Sequence, residues 1–173
     1  LSDIFDKPVL AIDTSLAGCV VGLRVPKTGM FYERVFPTGR EQAAKIVPIV
    51  QNVLEESGLS YGDIGLIVTT VGPGSFTGLR IGMTCAASLA LVHNIPLQGV
   101  DTMTVMIKSC AKDIGADAYL CVLETKRADF YAGLMDANLD WLVPPFSGMA
   151  EDISELVRGK SVVLCGDATE RFR

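Results

Sequence analysis

Histidine is almost absent from this chain of 173 residues: His93 is the single one, and it stands at the end of an apolar helical run, where a cation suits the helix dipole. Imidazole is the side chain most used for proton transfer near neutral pH, so its scarcity removes most acid–base and nucleophilic schemes. No H-E-x-x-H, no H-x-x-x-H and no Cys/His cluster occurs, so a zinc or iron centre has no ligand set and metallopeptidase activity is unsupported. The reading is therefore no catalytic residue and no metal ligand. Clustered basic residues are missing too. Fifteen Lys and Arg against twenty Asp and Glu give a net charge of -5, which excludes a chain that grips a phosphate backbone unaided. Any contact with nucleic acid has to be supplied largely by a partner.

Long apolar runs are also lacking. No segment reaches the roughly 18 residues of a membrane span, and the opening Leu-Ser-Asp-Ile-Phe-Asp-Lys has neither the basic flank nor the apolar core of a signal peptide. The expectation is a cytoplasmic protein with no membrane partner. The five cysteines (Cys19, Cys85, Cys110, Cys121 and Cys165) are odd in number, lie in apolar runs and show no C-x-x-C spacing. Buried thiols in a reducing compartment fit this pattern better than a disulfide framework or a zinc knuckle.

What is present is a well-packed composition, 49% apolar and 20% charged, in a length that suits one ordinary domain or two small lobes. Strand-like runs at Pro8 to Thr14, Gly18 to Val25 and Met30 to Phe36 predict an antiparallel meander. A helix from about Arg40 to Ser57, ended by Gly58, follows. Then come a strand from Ile64 to Val71, a helix from about Thr77 to His93 and a strand from Leu97 to Val100. This order gives an α/β lobe of the ribonuclease H-like kind over residues 1–101, a mixed sheet flanked by helices. Residues 102–173 read as a reduced second lobe: a helix (Thr102 to Ile114), strands (Ala118 to Leu123, Phe130 to Met135), a short helix near Glu151 to Val157 and a strand (Ser161 to Cys165).

The stretch Gly72-Pro73-Gly74-Ser75-Phe76-Thr77-Gly78 turns a strand into a helix, with Ser75 or Thr77 as the cap. Backbone N–H groups at such a turn can hold an anion, so Asp13, Thr14, Gly74, Ser75 and Thr77 are candidate nucleotide or anion ligands. A Walker loop would end in Gly-Lys-Ser/Thr, and no lysine is here. Asp13-Thr14-Ser15 sits in a hairpin where sugar kinases and actin-like ATPases place a glycine two residues after the aspartate, yet this chain has Ser15. The second lobe's hairpin, Glu124 to Asp129, shows no paired glycines. Autonomous ATP hydrolysis is not expected.

Both first-lobe helices are too apolar for a single buried face. On the first, Ala43, Ala44, Ile46, Val47, Ile49, Val50, Val53 and Leu54 span roughly 200°, about twice the usual stripe. On the second, Thr77, Arg80, Thr84 and Ser88 form one polar stripe, while Gly78, Gly82, Ala86 and Ala90 form a ridge of small residues that permits close approach. Either each helix packs on the sheet and on its neighbour, or the pair also presents an apolar surface to a partner. Under the second reading Ile46, Ile49, Val50, Val53, Gly78, Gly82, Ala86 and Ala90 are the partner-binding residues. Arg80 would pair with a partner's acid or with a phosphate, or stay solvated.

Three further stretches complete a pattern: Leu10 to Thr14, Arg40-Glu41 ahead of Ile46 to Val50, and Ile95-Pro96-Leu97. With Gly72 to Gly82 they resemble the TsaB (YeaZ) family, the non-catalytic paralogues of TsaD in bacterial synthesis of N6-threonylcarbamoyladenosine on tRNA, once labelled glycoprotease-like. The resemblance runs over roughly residues 8 to 135. It implies the actin-like ATPase superfamily fold and a scaffold that binds TsaD through the two first-lobe helices. It also implies TsaE in a larger complex, a homodimer in isolation, indirect contact with tRNA, and ATP or ADP only at the interface with TsaD. Many members have histidine where this chain has Gln42, and most run beyond the position of Arg173, so the second lobe is expected to be truncated. A small-molecule kinase or ATPase built on Asp13 is the alternative reading.

Overall fold

A computed structural model describes residues 6–37, 40–112 and 114–173, so the opening read for a signal peptide lies, up to Phe5, outside the described residues. The chain divides into two compact units, the first made of residues up to Val71 together with Ser75–Val100, the second of Gly72–Gly74 with Asp101–Arg173.

In the first unit, β1 (Val9–Asp13), β2 (Cys19–Val25) and β3 (Met30–Phe36) form the predicted meander, followed by α1 (Gln42–Ser57), β4 (Leu66–Thr70), α2 (Phe76–His93) and β5 (Leu97–Val100). The sheet order is β3-β2-β1-β4-β5, with β1, β4 and β5 parallel and β2 and β3 antiparallel. Alternation along the strands directs Leu10, Ile12, Val21, Leu23 and Ile67 to the helix side, where they meet Ile46, Val50, Val53 and Leu54 of α1 and Ala86 and Ala90 of α2. Each buried Leu, Ile or Val contributes about 1.5–3 kcal/mol, so this layer dominates the unit's stability. The helix ends follow local rules. Ser75 caps α2 by accepting from the Gly78 amide, while Gly58 (φ 70°) and Asn94 (φ 52°) end α1 and α2 in the left-handed conformation.

The second unit holds α3 (Thr102–Ala111), β6 (Ala118–Glu124), β7 (Phe130–Asp136), β8 (Trp141–Gly148), α4 (Ala150–Leu156), β9 (Val162–Cys165) and α5 (Thr169–Phe172). Its mixed sheet runs β8-β7-β6-β9, with β6 and β9 parallel. Strand β6 is buried on both faces: Ala118, Leu120 and Val122 join Ile153 and Ala168 in one core, and the alternate residues Tyr119, Cys121 and Leu123 lie on the opposite face. Several elements depart from the sequence reading, the short helix α5 among them, since nothing after Cys165 was expected to be helical. Strand β8 is unforeseen because Pro144 and Pro145 fall inside it, which an edge strand tolerates since its outer donors need no partner. Helix α3 stops at Ala111, short of Ile114.

Candidate functional site

The β1–β2 hairpin and the start of α2 are tied together inside the first unit. The Asp13 carboxylate accepts from the Ser15 amide at 2.8 Å and the Thr70 hydroxyl at 2.7 Å, both on Oδ1. The buried Thr14 hydroxyl donates to the Gly78 carbonyl at 2.6 Å, and the Ser75 amide donates to the Ser15 carbonyl at 2.7 Å. Gly78 and Gly82 are small for this reason. A Cβ at Gly78 would collide with the Thr14 main-chain oxygen, and one at Gly82 with Thr14 Oγ1. Gln42 closes the hairpin from the other side. Its buried Nε2 donates to the carbonyls of Thr14 (3.4 Å), Leu16 (3.2 Å) and Gly18.

Of the five anion-site candidates, Asp13, Thr14 and Ser75 are brought together here, and all three are engaged within the fold. Thr77 faces elsewhere, into the groove described next, and Gly74 belongs to the turn grouped with the second unit. One carboxylate oxygen of Asp13 thus holds two donors, and the Thr14 hydroxyl is spent on α2. Among the described residues no cluster of three His, Cys, Asp or Glu is placed to hold a metal. The nearby thiols are not activated: burial and then the Asp13 carboxylate push Cys19 upward, and burial also raises Cys85.

The small-residue ridge requires a correction. Gly78, Gly82, Ala86 and Ala90 are buried on the sheet side of α2, as are Ile46, Val50 and Val53 on α1, and Ile49 is half-buried against the same core. A ridge of small residues allows close approach without saying to what, and here it approaches the β1–β2 hairpin at Thr14 and strand β4. The outward flank is different. Ala43, Ile46 and Val47 of α1 face Phe76, Thr77, Arg80, Ile81, Thr84 and Cys85 of α2 across an open, mainly apolar groove of about 510 Å³. Phe76 and Val47 are 69% and 43% exposed, and the Arg80 guanidinium lies 3.9 Å above the Phe76 ring. The sequence signal for this flank was the Thr77, Arg80, Thr84 stripe, which lines the groove instead of marking a plain solvated edge. His93 ends α2 as expected, and its ring stacks on Tyr61 at 4.3 Å.

The second unit's hairpin is held by Arg171 of α5. Its guanidinium donates to Glu124 Oε1 at 2.7 Å and to the Arg127 and Asp129 carbonyls, and lies 3.7 Å over Phe130. The hydroxyl of Thr125, then Arg127, hold the Asp129 carboxyl below the ordinary range.

A family model described as TsaD, tRNA N6-adenosine threonylcarbamoyltransferase, matches residues 36–139, more than half of the chain. The tRNA threonylcarbamoyladenosine biosynthesis protein TsaB of Escherichia coli is 37% identical over 71% of this chain and 52% of its own length. The chain belongs to the TsaB (YeaZ) family. The Buchnera aphidicola (Schizaphis graminum) TsaB is 31% identical over 82% of the chain and 65% of its own length. Among solved structures, YeaZ from Pseudomonas aeruginosa superposes with a TM-score of 0.75 at 21% identity, covering 84% of this chain and 69% of that one, which establishes a shared fold. The chain spans between about half and two thirds of the curated relatives it matches.

Proposed function

We propose that this chain is a non-catalytic scaffold that binds TsaD and supports transfer of a threonylcarbamoyl group to adenosine 37 of tRNAs decoding ANN codons. The observation that carries this reading is the open apolar groove along the outer flank of α1 and α2, beside a hairpin in which Asp13 Oδ1 and the Thr14 hydroxyl are already engaged by the fold. The name shared by its curated relatives supports the pathway. In this reading the groove flank packs against helices of TsaD, and the same flank forms a homodimer when TsaD is absent. TsaE joins the larger complex, tRNA is met through TsaD, and ATP or ADP is held at the shared interface in the cytoplasm.

Val47→Asp and Thr84→Arg test it, because both positions are exposed and neither supports the core. A charge buried at such an interface costs several kcal/mol, so capture of purified TsaD should fall at least about tenfold while the thermal transition stays in place. Undiminished capture by both variants refutes the docking surface. Micromolar ATP–magnesium binding with turnover by the isolated chain would instead favour a small-molecule kinase.

A further inference from the structure

The first unit carries a second hollow, which shares no lining residue with the groove. It is a cleft of about 250 Å³ at the end of the sheet where the parallel strands β1, β4 and β5 begin, between the 3-10 turn at Tyr61–Asp63 and the end of α2. Ile64 and Ile95, 5% and 7% exposed, give it an apolar floor. One wall is flat: the Tyr61 and His93 rings stack at 4.3 Å with 11° between their planes, and His93 is exposed on the side that Tyr61 leaves free. Lys7 lines the cleft as well. Its Cβ, Cγ and Cδ occupy the space that a side chain at Gly65 would need, so the stem is held against the main chain while the ammonium stays hydrated.

The polar side chains of the cleft are donors without partners. The main-chain amides of Gly65 and Ile95 are already given to the carbonyls of Pro8 and Ala90. Among the described residues, by contrast, the Lys7 ammonium forms no ion pair, and neither the Asn94 side-chain amide nor the His93 ring nitrogens form a hydrogen bond. No carboxylate lines the cleft, and that of Asp63, between two lining residues, is held by the Ser60 amide at 2.8 Å and hydroxyl at 2.7 Å.

We propose that this cleft binds a small ligand made of a flat ring and one anionic group, a mononucleotide or an aromatic carboxylate. The ring lies on the free face of His93 and extends the stack begun by Tyr61. The anionic group meets the Lys7 ammonium in a charge-assisted contact, and the Asn94 amide supplies a neutral donor. Helix α2 fixes this orientation: its C-terminal carbonyls disfavour an anion, so the charge belongs at Lys7 and the ring at the helix end. The volume lies just below the ordinary range of small-molecule pockets, which admits one ring with one anionic group and excludes a dinucleotide.

His93 is the single histidine, so its imidazole C–H resonances report on the cleft unambiguously. The full chain, at fixed pH and ionic strength, is titrated separately with AMP, benzoate, adenosine and inorganic phosphate. AMP, benzoate or both should shift these resonances saturably with a dissociation constant near or below about 1 mM, whereas adenosine and phosphate bind at least about tenfold more weakly than the better of the two. Which of AMP and benzoate binds more tightly separates the two sources. Lys7→Met keeps the stem on Gly65 and removes only the charge, so it should weaken that ligand at least about fivefold. Lys45→Met, in the first turns of α1 beside Phe36, should leave it unchanged. No saturable shift from AMP or benzoate below about 10 mM overturns the proposal. So does phosphate or adenosine binding as tightly as the better ligand, or undiminished binding by Lys7→Met.

Discussion

Gly82 and Thr14 form a contact whose energetic sign should invert with the background in which it is measured. A Cβ at position 82 would sit under 3.0 Å from Thr14 Oγ1, whereas its next neighbours, Thr14 Cβ at 3.5 Å and Thr69 Oγ1 at 3.6 Å, lie at ordinary contact distance. In the parent, Gly82→Ala costs about 2 kcal/mol of overpacking, offset by about 1 kcal/mol of helix preference for alanine, for a net loss of about 1 kcal/mol. Thr14→Ala alone forfeits the buried hydrogen bond to the Gly78 carbonyl, about 1 kcal/mol. With Oγ1 gone, Gly82→Ala no longer collides and should stabilise by about 1 kcal/mol, leaving a coupling of about 2 kcal/mol between the two sites. Gly78→Ala is the control. Its Cβ meets the Thr14 main-chain oxygen, which Thr14→Ala leaves in place, so it should destabilise both backgrounds. Urea unfolding of the single and double variants, followed by far-ultraviolet circular dichroism, measures all of these terms. Equal loss from Gly82→Ala with and without Oγ1 would refute the account of why α2 carries its small residues on this flank.

Two other outcomes follow from side chains already described. Gln42→Ala should cost about 2–3 kcal/mol in the same urea assay, because three hairpin carbonyls lose a buried donor, and Gln42→His should recover part of the loss through its one ring N–H. A cost below about 0.5 kcal/mol would show that the hairpin stands without Gln42. Removing the Thr125 hydroxyl with Thr125→Val should raise the Asp129 carboxyl toward the ordinary aspartate range in an NMR titration. A depressed folded-state value stabilises above the unfolded pKa, and that contribution is lost as pH falls through the folded one. Asp129 is only half-buried, so the titration midpoint is the informative readout.

Much of the first unit was legible because its signals are local. Met30–Phe36 and Leu97–Val100 match the predicted strands, and Gly58 ends α1 where a left-handed residue was needed. The double proline at 144–145 concealed β8, since the same dipeptide marks a loop as readily as an edge strand. The direction of the Gly78 to Ala90 ridge was not legible either. Helical periodicity fixes which residues share a flank, but only the strand order decides whether that flank meets a sheet or open water. Gln42 was marked only as a departure from its family, because a glutamine at a helix start reads as a surface residue until the hairpin carbonyls are placed around it.

Gln42 is the first residue of α1, and Ala43, its neighbour in the chain, lines the groove. The plug of the hairpin and one wall of the groove are therefore cut from the same helix. A displacement of α1 would carry with it the donor that holds the carbonyls of Thr14, Leu16 and Gly18, so the groove and the loop after Asp13 are joined through one side chain.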